Sequence, residues 1–310
     1  MTARGESAMR IFIVLGDPPT PGQKNVKPYD EVAAGARRLG PVTIGMPDAD
    51  AGPDDVLVCW SPFLGTDRLD ALRAIKAAGG RAIVMENGWL SPIGPRRFFQ
   101  IALDGWNGEG RYPQGGSERW RGWNVPLLDW NRNGRHVLVI GQKLKGADQD
   151  ARRMPEGWDH SLTLPTRRPV VRRTRKTTAP LDDQLRDAWC TVTWSSTAAV
   201  KGLIAGVPAF YCGPSLICHE LCRRGTDVDH PAYPDREPVF ERLAWCQWTP
   251  EEIATGEPFA RLLALPHDRV PQAIAEPFTL PAAVTPRGRL RERLDRMRQR
   301  WRRRLGRWTG

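Results

Sequence analysis

The chain has 310 residues, with 46 Lys and Arg against 35 Asp and Glu and a formal net charge of +11. That length suits two domains of ordinary size, and a hydrophobic content of 40% suffices for packed cores. No apolar run approaches the roughly 18 residues of a membrane span, and MTARGESAMRIFIVLGD reads as a first strand rather than a signal peptide, so a cytoplasmic protein is expected.

Arg10–Gly16 is a continuous apolar run closing in Gly, the pattern of a buried parallel strand. After a proline-rich loop, Val32, Ala33, Ala36 and Leu39 predict a helix over Pro28–Gly40. Strands follow at Pro41–Gly45, Val56–Trp60 and Arg81–Met85, with a helix over Thr66–Ala78 between the last two. This alternation implies a doubly wound parallel sheet, whose ligands gather at the carboxyl ends of the strands. Those ends supply Gly16, Asp17, Ser61 and Glu86-Asn87-Gly88.

Pro95–Pro113 interleaves Arg96, Arg97, Trp106, Asn107 and Arg111 with Phe and Gly, a composition that suits a stacked base, a sugar or a structural loop with buried aromatics. Gln114–Gly134 reads as a linker anchored by tryptophans. A second sheet is expected to open at Arg135–Gly141, with Gln142 and Lys143 at its carboxyl end either receiving donor phosphates or forming an ordinary surface loop. Ala151–Ser161 predicts a broken helix, Pro169–Thr174 a short strand and Leu181–Ala188 a helix.

The rest is organised around Asp187–Phe210, DAWCTVTWSSTAAVKGLIAGVPAF. Cys190–Trp194 predicts a strand, and Ser195, Ser196 and Thr197 form a cap cluster opening a small-residue helix that ends at Gly206. A further strand begins at Val207. Unsatisfied N–H groups are expected to converge on the hydroxyl-rich turn and to hold an anion there. Cys212–Pro234 is irregular, Glu237–Trp248 has helical spacing, and Thr249-Pro250-Glu251-Glu252 opens a helix to Leu265. The spacing of Cys212, Cys218, Cys222 and Cys246 lacks a C-x-x-C pair, so free thiols are expected and no metal site is assigned; Asp227-Val228-Asp229 has D-x-D spacing in an irregular stretch.

The Asp187–Phe210 run resembles the donor-binding segment of glycosyltransferases of GT-B architecture. Together with Met85–Leu90 (MENGWL), Leu103–Pro113, Val137–Gln142 and Phe240–Phe259, it is similar to phage-encoded relatives of the glycosyltransferases that decorate hydroxymethylated pyrimidines in DNA. The resemblance implies an α/β fold with two Rossmann-like domains facing across a cleft, at residues 1–113 on the acceptor side and 135–265 on the donor side. Residues 114–134 link them, and 266–310 form a Pro-rich connection and a basic C-terminal helix. In that fold a C-terminal helix crosses back to the first domain, which the helices after Glu237 could supply.

It further implies a nucleotide-sugar donor, a UDP-sugar by expectation, held without a metal at Ser195, Ser196 and Thr197; Gln142 and Lys143 at their strand end are candidates to join it, and His219 is either a donor contact or an ordinary packed or exposed histidine. The chain departs from the pattern at Lys201, where such enzymes commonly have a ribose-binding Glu; Lys201 could instead reach a phosphate or simply be solvated. Transfer with inversion needs a base, for which Glu86 is the first candidate and Asp17 the second. Glu86 could equally cap the next segment or pair with Arg96 or Arg97.

The basic block at Arg172 and Arg173, and the run from Arg287 to Arg307 that contains Arg296, Arg300 and Arg303, suggest a polyanionic partner. With the resemblance, double-stranded DNA bearing 5-hydroxymethyluracil or 5-hydroxymethylcytosine is the expected acceptor. Two alternatives stay open: a surface-polysaccharide glycosyltransferase docked on anionic lipid, and a DNA-binding protein without catalysis.

Overall fold

The computed structural model describes residues 9–16, 27–62, 66–90, 97–144, 146, 150–174 and 177–266. Ile11–Val14 (β1) is buried at every position, as a parallel strand covered on both faces must be. Helix α1 follows at Tyr29–Arg37, then β2 at Val42–Ile44, β3 at Val56–Trp60, α2 at Thr66–Ala77 and β4 at Arg81–Asn87. Strands β2, β1, β3 and β4 lie side by side, all parallel.

Phe99–Leu103 (β5) then turns back antiparallel to β4, setting Gln100 opposite Glu86. This strand falls inside the stretch expected to be a ligand-binding loop. Phe98 and Phe99 are only 1% exposed, so their rings fill the core instead of facing a base or a sugar. The 114–134 connection is not bare linker either, since it holds α3 at Glu118–Trp123.

The second sheet is wholly parallel. It contains β6 (His136–Ile140), β7 (Val170–Arg173), β8 (Ala188–Thr193), β9 (Ala209–Tyr211) and β10 (Cys222–Arg224), in the order β10-β9-β8-β6-β7. The edge strand β10 lies within the run read as irregular. Its helices are α4 (Trp158–Ser161), α5 (Leu181–Arg186), α6 (Ala198–Ile204) and α7 (Glu237–Ala244). Of the helix expected over Ala151–Ser161 only the last turn forms, because Pro155 has no N–H to donate and Gly157 sits at φ 75°.

After α7 the chain leaves the second sheet. Gln247–Trp248 (β11) pairs antiparallel with β5 and completes the first sheet, and α8 (Pro250–Ala254) and α9 (Glu257–Leu263) pack on α1. The expected second domain of 135–265 therefore ends near Cys246. What drives the return is apolar burial: Trp248, Ile253, Phe259 and Leu262 are at most 1% exposed in the first core, each contributing ~1.5–3 kcal/mol. Thr249 and Glu252 form a capping box that starts α8, and Gly256 at φ 79° breaks what the sequence suggested was one helix to Leu265. Arg119 of α3 clamps the return, donating to Glu252 at 2.6 and 3.0 Å and to the Gln247 carbonyl at 2.9 Å.

One apolar cluster belongs to both sheets. Trp89, Ala102 and Tyr112 of the first pack with Ala199, Leu203 and Phe240 of the second, and Trp120 of α3 stacks on Phe240 with ring centroids 4.8 Å apart.

Candidate functional site

The carboxyl ends of both sheets open on one cleft of about 470 Å³. From the first sheet it is lined by Ser61 after β3, Glu86, Asn87 and Gly88 at the end of β4, and Gln100 of β5; the loop after β5 adds Trp106 and Asn107. From the second come Gly141, Gln142 and Lys143 after β6, Arg152 and Arg153, the Ser195–Thr197 turn after β8, and Pro214 and Ser215 after β9. Strand ends that are remote in sequence meet here because the second sheet and strands β1–β4 of the first are parallel.

The second-sheet wall is built by reciprocal bonds. Gln142 Nε2 donates to Ser195 Oγ at 3.2 Å, while Gln142 Oε1 accepts the Ser195 N–H at 3.1 Å. The Ser196 N–H donates to Thr193 Oγ1 at 3.0 Å, and Ser196 Oγ accepts the Ala198 N–H at 3.3 Å. These bonds correct the expectation of a turn rich in unsatisfied N–H groups: the side chains of Gln142, Thr193 and Ser196 already take three of them. The same wall also carries the cations Lys143 and Arg153, the latter donating to the Gly146 carbonyl at 2.9 Å.

The first-sheet wall is held as firmly. Trp89 Nε1 donates to Gln100 Oε1 at 2.9 Å, Gln100 Nε2 donates to the Tyr112 hydroxyl at 2.6 Å, and that hydroxyl donates to the Asn107 carbonyl at 2.9 Å. Glu86, half-buried, accepts the Asn87 N–H at 3.3 Å. In the parallel register Trp60 lies beside Met85, so Ser61 and Glu86 come next to each other at the two strand ends.

The walls meet at an ion pair that no sequence pattern signals. Glu109, 3% exposed, accepts from Arg152 Nε at 2.9 Å to both oxygens and from Nη2 at 2.8 Å, with Ser215 Oγ at 3.4 Å. Burial pushes the Glu109 carboxyl above its ordinary range, against the opposing pull of Arg152 and Ser215. Arg152 also reaches Asp150 at 3.3 Å and lies over the Trp106 ring, 5.4 Å from its centroid.

Of the residues singled out in the sequence, the cleft brings together Glu86, Gln142, Lys143, Ser195, Ser196, Thr197, Trp106 and Asn107. Lys201 sits on α6 and His219 in a short turn where Nδ1 lies 3.1 Å from the Leu216 carbonyl; neither lines the cleft. Arg111 is 9% exposed and donates to the Pro266 carbonyl. Arg172 donates to the Asp159 and Leu162 carbonyls at 2.5 and 2.7 Å, and Arg173 to Ala179 and Gln184 at 2.6 Å each. Each of these three guanidiniums is engaged within the fold, Arg111 with the Pro266 backbone, Arg172 with the end of α4, and Arg173 with α5 and the loop before it. Arg97 lies over Phe99 and donates to Asn87 at 3.4 Å. Asp17, Arg96, Arg296, Arg300 and Arg303 lie outside the described residues.

The D-x-D spacing is occupied by structure. Asp227 pairs with His230, Val228 is fully buried, and Asp229 accepts from Thr166 at 2.7 Å and Arg168 at 3.3 Å. Among the described residues, no three His, Cys, Asp or Glu side chains converge as a metal site would need. No helix among them is long and apolar enough to cross a membrane. A neighbouring cavity of about 600 Å³, lined by Met154, Trp194, Cys212 and Arg224, shares Arg153 and Pro214 with the cleft.

No protein-family model and no curated protein matches the chain. Among solved structures it is similar to the KpsC beta Kdo 2,7 transferase of Thermosulfurimonas dismutans, at 11% identity over 81% of this chain and 98% of that one, with a TM-score of 0.43. It is also similar to the KpsC beta Kdo 2,4 transferase of the same organism, at 14% identity over 77% and 90% of the two chains, with a TM-score of 0.44.

Proposed function

We propose that the protein is a glycosyltransferase that moves a sugar from a nucleotide-sugar donor to an acceptor hydroxyl. The observation that supports this is the pairing of opposite chemistries across one cleft: a carboxylate, Glu86, on the first-sheet wall, and hydroxyls with the cations Lys143 and Arg153 on the second. A departing diphosphate is stabilised by cations and hydroxyls, while the attacking hydroxyl must lose its proton to a base on the other side. In this reading the second sheet holds the donor, a UDP-sugar by expectation. Lys143, Arg153 and the Ser196 and Thr197 hydroxyls face its phosphates, and no metal is required to carry the negative charge.

Glu86 takes the proton from the acceptor hydroxyl as the oxygen attacks the sugar carbon and the bond to the phosphate breaks. Its carboxylate is half-exposed at a strand end, where it meets both substrate and water. As acceptor we propose a hydroxymethylated pyrimidine in DNA. Support for that part comes from the arginine density between 287 and 307 and from the sequence resemblance; the described arginines at 111, 172 and 173 do not add to it.

The test is transfer from a panel of radiolabelled nucleotide sugars to duplex DNA containing 5-hydroxymethyluracil or 5-hydroxymethylcytosine, with unmodified DNA and a bacterial surface polysaccharide as parallel acceptors. Label on modified DNA alone supports the whole reading. Label on polysaccharide alone keeps the transferase and replaces the acceptor. No label on any acceptor, with no hydrolysis of any donor, overturns the enzyme.

A further inference from the structure

We propose that Glu109 is a positioning residue for this transfer: through Arg152 it fixes the distance between the wall that carries Glu86 and the wall that carries the donor. The inference rests on the transferase reading above and adds to it a residue that touches neither substrate.

Glu109 comes from the first half of the chain and Arg152 from the second, so their three contacts at 2.8–2.9 Å span the joint between the walls. A carboxylate at 3% exposure is tolerated because a guanidinium faces it, and removing either partner from the closed joint would leave the other buried and unpaired.

The loop carrying Glu109 is fitted to its place. A Cβ on Gly108 would stand 2.7 and 2.8 Å from the Leu216 carbonyl oxygen and nitrogen, so only glycine lets the loop seat against that backbone. Asn107 is held at φ 54°, a left-handed conformation, by two bonds: Oδ1 accepts the Ile217 N–H at 2.8 Å, and the carbonyl accepts from Tyr112. From Tyr112 the bonds continue to Gln100, the register partner of Glu86. Arg152 thus holds Glu109, whose turn begins at Asn107, and from Asn107 bonds run through Tyr112 and Gln100 to the strand that presents Glu86.

Position in the cleft separates this from an ordinary interface pair. Trp106, Asn107, Arg152 and Ser215, all members of the joint, line the cavity itself. A shift of about 1 Å here moves reacting groups relative to each other, which is worth on the order of a hundredfold in rate.

The test compares full-length wild type, Glu109→Gln, Glu109→Asp and Tyr112→Phe in the transfer assay, with near-UV circular dichroism to establish the folded fraction. Tyr112→Phe leaves the ion pair intact and interrupts the chain of bonds beyond it, so it decides the question where Glu109→Gln fails to fold. The expected result is a fall in kcat of tenfold or more for Glu109→Gln and Tyr112→Phe, with KM for the donor within threefold of wild type. Glu109→Asp, which keeps the charge, recovers much of the loss. Faster hydrogen exchange at the Ile217 amide in Tyr112→Phe is the accompanying signature. Folded variants with kcat within twofold of an active wild type overturn the positioning role and leave the transferase standing. So does a loss of rate that follows the folded fraction. An inactive wild type overturns the transferase reading, and this role with it.

Discussion

Gln142 and Ser195 hold each other twice, at 3.2 Å through Nε2 to Oγ and at 3.1 Å through the Ser195 N–H to Oε1, and so lock the end of β6 to the end of β8. Gln142→Ala removes both bonds, at a cost of about 1–3 kcal/mol for the groups left unpaired. On the proposed reading, titration calorimetry with UDP should show binding roughly 5- to 100-fold weaker. Gln142→Glu should be worse than Ala, since it adds a negative charge where the phosphates would sit. Equal UDP affinity in all three proteins would remove this turn from the donor site.

Glu86 is half-exposed at the end of β4, and Gln has nearly its size and shape, so Glu86→Gln should change the melting temperature little. Initial transfer rates should nevertheless fall by ~10²–10⁴-fold, the usual contribution of a general base. Full turnover by the folded variant would make Glu86 a wall residue without a proton to take.

Asp55, 4% exposed at the foot of β3, shows how the first sheet responds to pH. Burial pushes its carboxyl up, but the Arg10 side chain at 2.7 Å and the Gly52 and Arg10 N–H groups at 2.9 and 3.0 Å outweigh it and hold the group below its ordinary range. A depressed carboxyl contributes stability that is present above its unfolded value of ~3.9 and is lost as pH falls through the folded value. Asp55→Asn should therefore lower the melting temperature at pH 7, and the gap to wild type should narrow toward pH 3. A gap independent of pH would assign the loss to packing.

Gly35 on α1 stands where α8 crosses, and a Cβ there would lie 2.0 Å from the Ile253 carbonyl oxygen. Gly35→Ala would raise helix propensity in an isolated helix, yet in this protein it should destabilise by ~1–3 kcal/mol or more, because backbone must move aside. Urea unfolding followed by tryptophan fluorescence gives the value. Unchanged stability would mean that α8 is free to rise off α1.

The elements most legible in the sequence are those whose signal is local. Val56–Trp60 and the start of α2 at Thr66 fall where the apolar runs and cap residues put them, and Thr249-Pro250 with Glu252 marks the start of α8. The strand β5 was hidden by composition: flanking Arg, Trp, Gly and Asn made an aromatic run look like a ligand platform, although Phe98 and Phe99 face inward. The destination of an arginine is not written in its neighbours. Arg172 and Arg173 look like a basic patch in sequence and serve carbonyls in the fold, whereas Arg153, in an unremarkable ARRMP run, lines the cleft. Strand-end positions are readable because parallel strands bring their carboxyl ends together, and Glu86, Gln142 and Ser195 accordingly line one cleft. Glu109 and Arg152 lie 43 residues apart with no periodicity between them, and only the three-dimensional joint reveals the pair.

The return of β11, α8 and α9 to the first sheet makes that sheet discontinuous in the chain. During synthesis its amino-terminal strands emerge long before Trp248, Ile253 and Phe259, the residues that seal its core, and the entire second sheet is made in between. The half that carries Glu86 can reach its final form only once the half facing it already exists, so a ribosome never releases one wall of the cleft without the other.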